Sequence, residues 1–267
     1  MNNYQTLQVD SSKPVLKVAL NRPDKGNAVN NLMLEELKDV LTGLRYDTEY
    51  RFVIFTGQGK HFTVGADLGE VLSEFVSGNL TPDKARLAQM DGHELMQKLE
   101  GLEQITIAAI NGPAYGAGLA LTLGCDFRVM AQEASLCVPE VARGIFFTWG
   151  STPRLVNTVG AAKAKELIML CEVVDADQAL KMGLVTRVSP ASELSNSVNQ
   201  LVEKLKSGPF LPIRLTKKIV NAASATAFGN IFMYEPELLE QSFLAGAPQE
   251  NIKMFIESRK KSNPVKE

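Results

Sequence analysis

Residues 110–129 read INGPAYGAGLALTLGCDFRV, four glycines and four alanines or prolines set among Ile, Leu and Val. Gly112, Pro113, Ala114, Gly116, Ala117 and Gly118 crowd the point where an apolar strand, Thr106 to Ile110, hands over to an apolar helix, Leu119 to Leu123. Glycine in such a place costs stability, because it loses more backbone entropy on folding than other residues. The pattern therefore predicts that something needs close access to this backbone.

Working outward, Val15 to Leu20, Arg51 to Thr56, Asp126 to Ala131 and Leu184 to Val188 are further short β-prone runs, each followed by turn residues and a helical pattern. That alternation predicts an α/β fold. Between Asn31 and Tyr46, Leu34, Leu37, Leu41 and Leu44 recur at helical spacing, with Glu35, Lys38 and Arg45 off the stripe. Similar stripes run over Lys84 to Leu99 and Ala161 to Leu170. After Ser189 the strand signals stop, and the rest is expected as consecutive helices broken at Gly208-Pro209, Gly229-Asn230, Glu235-Pro236 and Gly246-Ala247-Pro248. The division expected is an α/β core over 1–189 and a helical region over 190–267. The apolar faces Leu201, Val202, Leu205 and Ile213, Ile219, Val220 are expected to exceed what one small core covers.

With 267 residues, 45% of them hydrophobic, the chain can bury a large core, and disorder is not expected. A net charge of -2 offers no general attraction to nucleic acid or an anionic membrane. Cys125, Cys137 and Cys171 have no metal-ligand spacing and are odd in number, which suggests neither a disulfide framework nor a zinc site. No apolar leader, spanning segment or peroxisomal ending is present in the sequence, so a cytoplasmic protein is expected.

Several familiar motifs fail. The glycine stretch is neither G-x-G-x-x-G nor a P-loop, and His93-Glu94 starts a metalloprotease pattern that Gln97 breaks. His61 and His93 are the two histidines, too few for a serine or cysteine relay with any redundancy, and both are expected at the surface or in packing. A second small-residue stretch, GKHFTVGADLGEV (59–71), turns from Phe62 and Val64 through Gly65-Ala66 into a helix headed by Asp67, a good capping acid. Two helix starts lined by Gly and Ala can aim two free backbone N–H groups at one point, which is the geometry of an oxyanion hole.

NRPDKGNAVN (21–30), FTVGADL (62–68), INGPAYGAGLAL (110–121), CDFRV (125–129), VPEVARGIFF (138–147) and MFIESRKK (254–261) together resemble the ordered motifs of the crotonase superfamily, also called the enoyl-CoA hydratase/isomerase family. The resemblance spans nearly the whole chain. It implies a spiral of repeated β-β-α units with a helical C-terminal region that builds homotrimers, often paired into hexamers. It implies acyl-CoA substrates with no separate cofactor, coenzyme A being part of the substrate. By the same resemblance the amides of Ala66 and Ala117 would hold the thioester oxygen. Lys25, Ala66, Asp67, Leu68, Phe255 and Lys260 would hold coenzyme A, and Trp149 would form a wall of the acyl pocket. Family members commonly have Gly where this chain has Ala117, and many have Lys where it has Gly69.

Hydratases of that family carry two glutamates. One matches Glu140, while the other falls at Ala120, which can neither give nor take a proton. Water addition divides two tasks between two carboxylates, whereas moving a double bond needs one proton carrier. The expected activity is 3,2-enoyl-CoA isomerisation through Glu140. The alternatives are a hydratase or dehydratase using Glu140 alone, and a non-catalytic acyl-CoA-binding trimer.

Overall fold

The computed structural model describes residues 3–77, 81–225 and 231–262. Its main sheet has six strands in the order β1 (Leu7–Ser12), β2 (Val15–Leu20), β3 (Phe52–Gly57), β4 (Ile105–Ile110), β6 (Phe127–Ala131) and β9 (Arg187–Ser189). Only β1 is antiparallel to its neighbour. Every residue of β4 is buried, as a central parallel strand covered on both faces requires. A smaller sheet joins β5 (Ala114–Tyr115), β7 (Ser135–Cys137) and β8 (Val174–Asp175).

Helices fill the connections. α1 (Asn31–Leu44) follows β2, α2 (Leu68–Val76) and α3 (Pro82–Glu100) follow β3, and α4 (Ala117–Leu123) follows β5. α5 (Ser151–Val159) and α6 (Ala161–Leu170) precede β8, and α7 (Ala176–Lys181) leads to β9. α8 (Leu194–Lys206), α9 (Phe210–Ala225), α10 (Ile231–Leu244) and α11 (Ala247–Ser262) complete the chain. Local chemistry sets several starts. Asn30 accepts the Met33 amide at the head of α1, Thr81 accepts that of Lys84 with Pro82 in the first turn of α3, and Asp175 and Gln178 form a capping box on α7.

The windings are stitched together along one side. Val29 bridges Ala66, Thr63 bridges Ala114, β5 pairs with β7, and β7 with β8. Each winding thus gives one strand to the main sheet and one short extended piece to this second ladder, the spiral expected from the sequence. The two small-residue turns come to lie side by side in consequence. A Cβ added at Gly65 would sit 3.0 Å from the Tyr115 carbonyl oxygen and 3.8 Å from the Ala117 nitrogen.

Several expectations need correction. β1 escaped the sequence pattern because its residues after Leu7 are mostly polar and half or fully exposed, and β5, β7 and β8 are too short to show a period. The strand expected from Leu184 begins at Arg187, because Leu184 and Val185 are buried in the turn closing α7, both amides reaching the Ala179 carbonyl. Phe62 to Val64 gives a single bridge rather than a strand end. α10 runs through Glu235-Pro236 instead of breaking there, held along α3 by the buried Leu239 and Phe243. The Gly229-Asn230 break lies outside the described residues.

On α8, Leu201 and Val202 are buried against the main sheet, so the core covers a face expected to be left over. α9 is anchored by buried Lys217, whose ammonium lies 2.8 Å from Asp126 and donates to the Gln104 carbonyl at 2.7 Å. The same helix exposes Leu211, Leu215, Ile219 and Val220. No helix among the described residues is long and apolar enough to cross a membrane.

Candidate active site

The Gly65-Ala66 turn is fixed from β2's connection to α1. The Val29 amide donates to Gly65 O at 2.8 Å and the Asp67 amide to Val29 O at 2.9 Å, so both neighbours of Ala66 are tied while its own amide is spared. Asp67 then accepts the amides of Gly69 and Glu70 at the start of α2 and pairs with Arg22 at 2.9 Å. Its side chain is therefore committed to holding the turn.

The second turn is built the same way. The Gly116 amide donates to Cys137 O at 3.0 Å, and Ala117 opens α4 as its first residue, where a helix has no internal acceptor for the N–H. Neither the Ala66 nor the Ala117 amide donates to any group among the described residues. Both residues line one cavity of about 100 Å³, together with Gly116, Ala120, Glu140, Phe147, Thr148 and Trp149. The other small residues of this stretch serve close packing. A Cβ on Gly118 would lie 2.7 Å from the Thr63 side chain, and one on Gly112 would overlap the Lys60 carbonyl.

Glu140 leaves β7 and enters a short helical turn, Val141–Arg143, its carbonyl accepting the amides of Arg143 and Ile145. The residue is only 9% exposed, so it is no surface carboxylate, and its Oε2 accepts from no group among the described residues. Burial pushes the Glu140 carboxyl up to about 7, against the lowering effects of backbone hydrogen bonding and the Arg143 guanidinium. A carboxyl so tuned can both take and return a proton near neutral pH.

Outside this cavity a groove of about 560 Å³ runs past Lys25, Ala66, Asp67, Leu68 and Phe255, and Val64, Ala66, Leu68, Pro139 and Arg143 line both spaces. The structure thus brings together every sequence-expected residue except Lys260, which lies on α11 with its side chain outside the described residues. Arg143 was not anticipated. Its guanidinium sits 4.3 Å from the Phe255 ring centroid and donates to Pro139 O, which links α11 to the junction of the two spaces. In sequence it is one residue of VPEVARGIFF, with no signal that sets it apart. Cys137 also lines the groove, but burial pushes its thiol up to about 11, a poor nucleophile. Among the described residues no group of three or more His, Cys, Asp or Glu could hold a metal ion.

The arrangement combines two unsatisfied amides, one buried carboxyl and a long groove leading in. The family model described as enoyl-CoA hydratase/isomerase matches residues 10–263. The chain is 33% identical to a crotonyl-CoA hydratase of Syntrophomonas wolfei, over 96% of this chain and 97% of that one. Its structure is similar to that of an enoyl-CoA hydratase from Mycobacterium avium subsp. paratuberculosis, with TM-score 0.83 and 26% identity over 96% and 97% of the two chains. It is also similar to a monofunctional enoyl-CoA isomerase from M. smegmatis, with TM-score 0.67 and 29% identity over 82% and 93%. The chain belongs to the enoyl-CoA hydratase/isomerase family of crotonase-type enzymes.

Proposed function

We propose that this member of the enoyl-CoA hydratase/isomerase family moves a carbon–carbon double bond, converting 3-enoyl-CoA to 2-enoyl-CoA with Glu140 as its single proton carrier. One observation carries this reading: Glu140 is the one carboxylate among the described residues lining the cavity that Ala66 and Ala117 also line. Ionised Glu140 takes a proton from C2 of the thioester. The electron pair spreads through the C3–C4 double bond and onto the thioester oxygen, which the two amides stabilise. Protonated Glu140 then returns the proton to C4, leaving the double bond at C2–C3. Coenzyme A would enter with the substrate and occupy the outer groove beside Lys25, Leu68 and Phe255, with no further cofactor. Three free cysteines suit a reducing compartment such as the cytoplasm.

Water addition is the second reading, favoured by the hydroxyl of Thr148 in the same cavity, which could hold a water for Glu140. A panel of 2-enoyl-, 3-enoyl- and 3-hydroxyacyl-CoAs, followed by mass spectrometry and chromatography, separates the two. Isomerisation keeps the mass of the 3-enoyl substrate and shifts its retention. Rapid gain of one water by 2-enoyl-CoA, with 3-enoyl-CoA untouched, would overturn the isomerase reading. Binding of all three classes without turnover would leave a non-catalytic acyl-CoA-binding protein.

A further inference from the structure

Trp149 lines the inner cavity with a backbone φ of +60°, a left-handed conformation that a bulky side chain rarely adopts. Such a residue persists only when its surroundings hold it. Here the hold comes from two sides. Arg154, locked to Glu100 by paired contacts of 2.6 and 2.5 Å, donates to the carbonyls of Trp149 at 3.2 Å and Gly150 at 2.7 Å. From the opposite side the Gly150 amide donates to Glu235 Oε2 at 2.8 Å.

Glu235 stands on α10, distant in sequence, and is 2% exposed. The same Oε2 meets His93 Nε2 at 2.7 Å and Gln89 Nε2 at 3.2 Å, both from α3, while Oε1 accepts from no group among the described residues. His93, expected at the surface or in packing, is 7% exposed and belongs to this network. A half-satisfied carboxylate is an expensive way to pack two helices. What it achieves is to present one acceptor to the Gly150 amide behind the cavity wall. The indole itself lies on α3, where a Cβ at Gly92 would fall 2.0 Å from Trp149 Cδ1. Ile145 and Phe146, which lead to this wall, pack on Ala85 of α3 and on Leu239 and Phe243 of α10.

We propose that Glu235 is a positioning residue that holds the Trp149-Gly150 turn, fixes the indole as a wall of the acyl pocket and so sets which acyl chains fit. This rests on the reading of the inner cavity as the acyl site. Through it, the seating of α10 governs substrate selection without touching the substrate.

Because Trp149 is the single tryptophan, its emission reports the wall directly. The test compares the full chain with Glu235→Gln, which keeps an acceptor for the Gly150 amide, and with the pair His93→Leu/Glu235→Leu, which removes the acceptor without stranding a buried charge. The expected result for the pair is red-shifted, more easily quenched emission and a change of about tenfold in the ratio of affinities for short and long saturated acyl-CoAs. Glu235→Gln is expected to stay near the parent in both. A folded pair variant with parent emission and parent chain-length ratio would overturn the proposal, as would equal weakening at all chain lengths. If the parent turns over no enoyl thioester, the proposed reaction fails, while emission and acyl-CoA affinity still decide the role of Glu235.

Discussion

The Glu140 carboxylate rests directly against the backbone of Gly116: a Cβ built on Gly116 would lie 2.5 Å from Glu140 Oε1. Gly116 also has φ +52° and precedes the Ala117 amide, so one residue meets three demands. It turns the chain into α4, exposes the amide beyond it and leaves room for the acid. Gly116→Ala is expected to push the carboxylate aside and to lower kcat by about a hundredfold or more, since a positioned acid–base group contributes that much. Steady-state kinetics beside circular dichroism checks this; a folded variant with parent kcat would show that Glu140 need not sit there.

Glu140→Gln should abolish turnover while keeping acyl-CoA affinity, because the amide preserves shape but takes no proton. The parent kcat/KM should rise with pH on a limb near 7, where Glu140 becomes ionised. Its effect on stability runs the other way. The carboxyl titrates about 7 in the fold against 4.5 as its ordinary value, so the folded state binds the extra proton between them. That contribution is complete below the lower value and is lost as pH rises through the higher one. Glu140→Gln should therefore be the more stable protein at about pH 8, by up to about 3 kcal/mol, and should match the parent at about pH 4. Thermal melts across pH read the difference, and equal melting points at both ends would contradict the burial argument.

Ala117→Pro removes one of the two unsatisfied amides, and losing one such donor costs on the order of 3 kcal/mol of transition-state stabilisation. Ala117→Gly keeps the N–H and serves as its control. Activity is expected to survive in the glycine variant and to collapse in a proline variant that still folds and binds coenzyme A. Parent-level turnover by a folded Ala117→Pro protein would return the small residues of 112–118 to packing alone.

The exposed Leu211, Leu215, Ile219 and Val220 on α9 lead us to expect a homotrimer or a dimer of trimers. Analytical ultracentrifugation at micromolar concentration measures it. A monomer there would mean that these side chains face water.

The sequence by itself determined the alternation of strand and helix, the leucine stripe of α1, the capping role of Asp67 and the two glycine-alanine turns, because each is local: it depends on spacing and on the conformations that a few adjacent residues allow. Ordered motifs carried Glu140, Ala66 and Ala117 as well. Tertiary structure alone decided what those residues meet. That Gly116 makes room for Glu140, that Arg143 joins two spaces, and that Glu235 accepts the Gly150 amide from 85 positions further along the chain depend on windings being stacked. No pattern along the chain encodes such contacts. Burial completed the chemistry, since a carboxyl acquires its raised pKa from the water it loses, and water is excluded only once the spiral has closed around it.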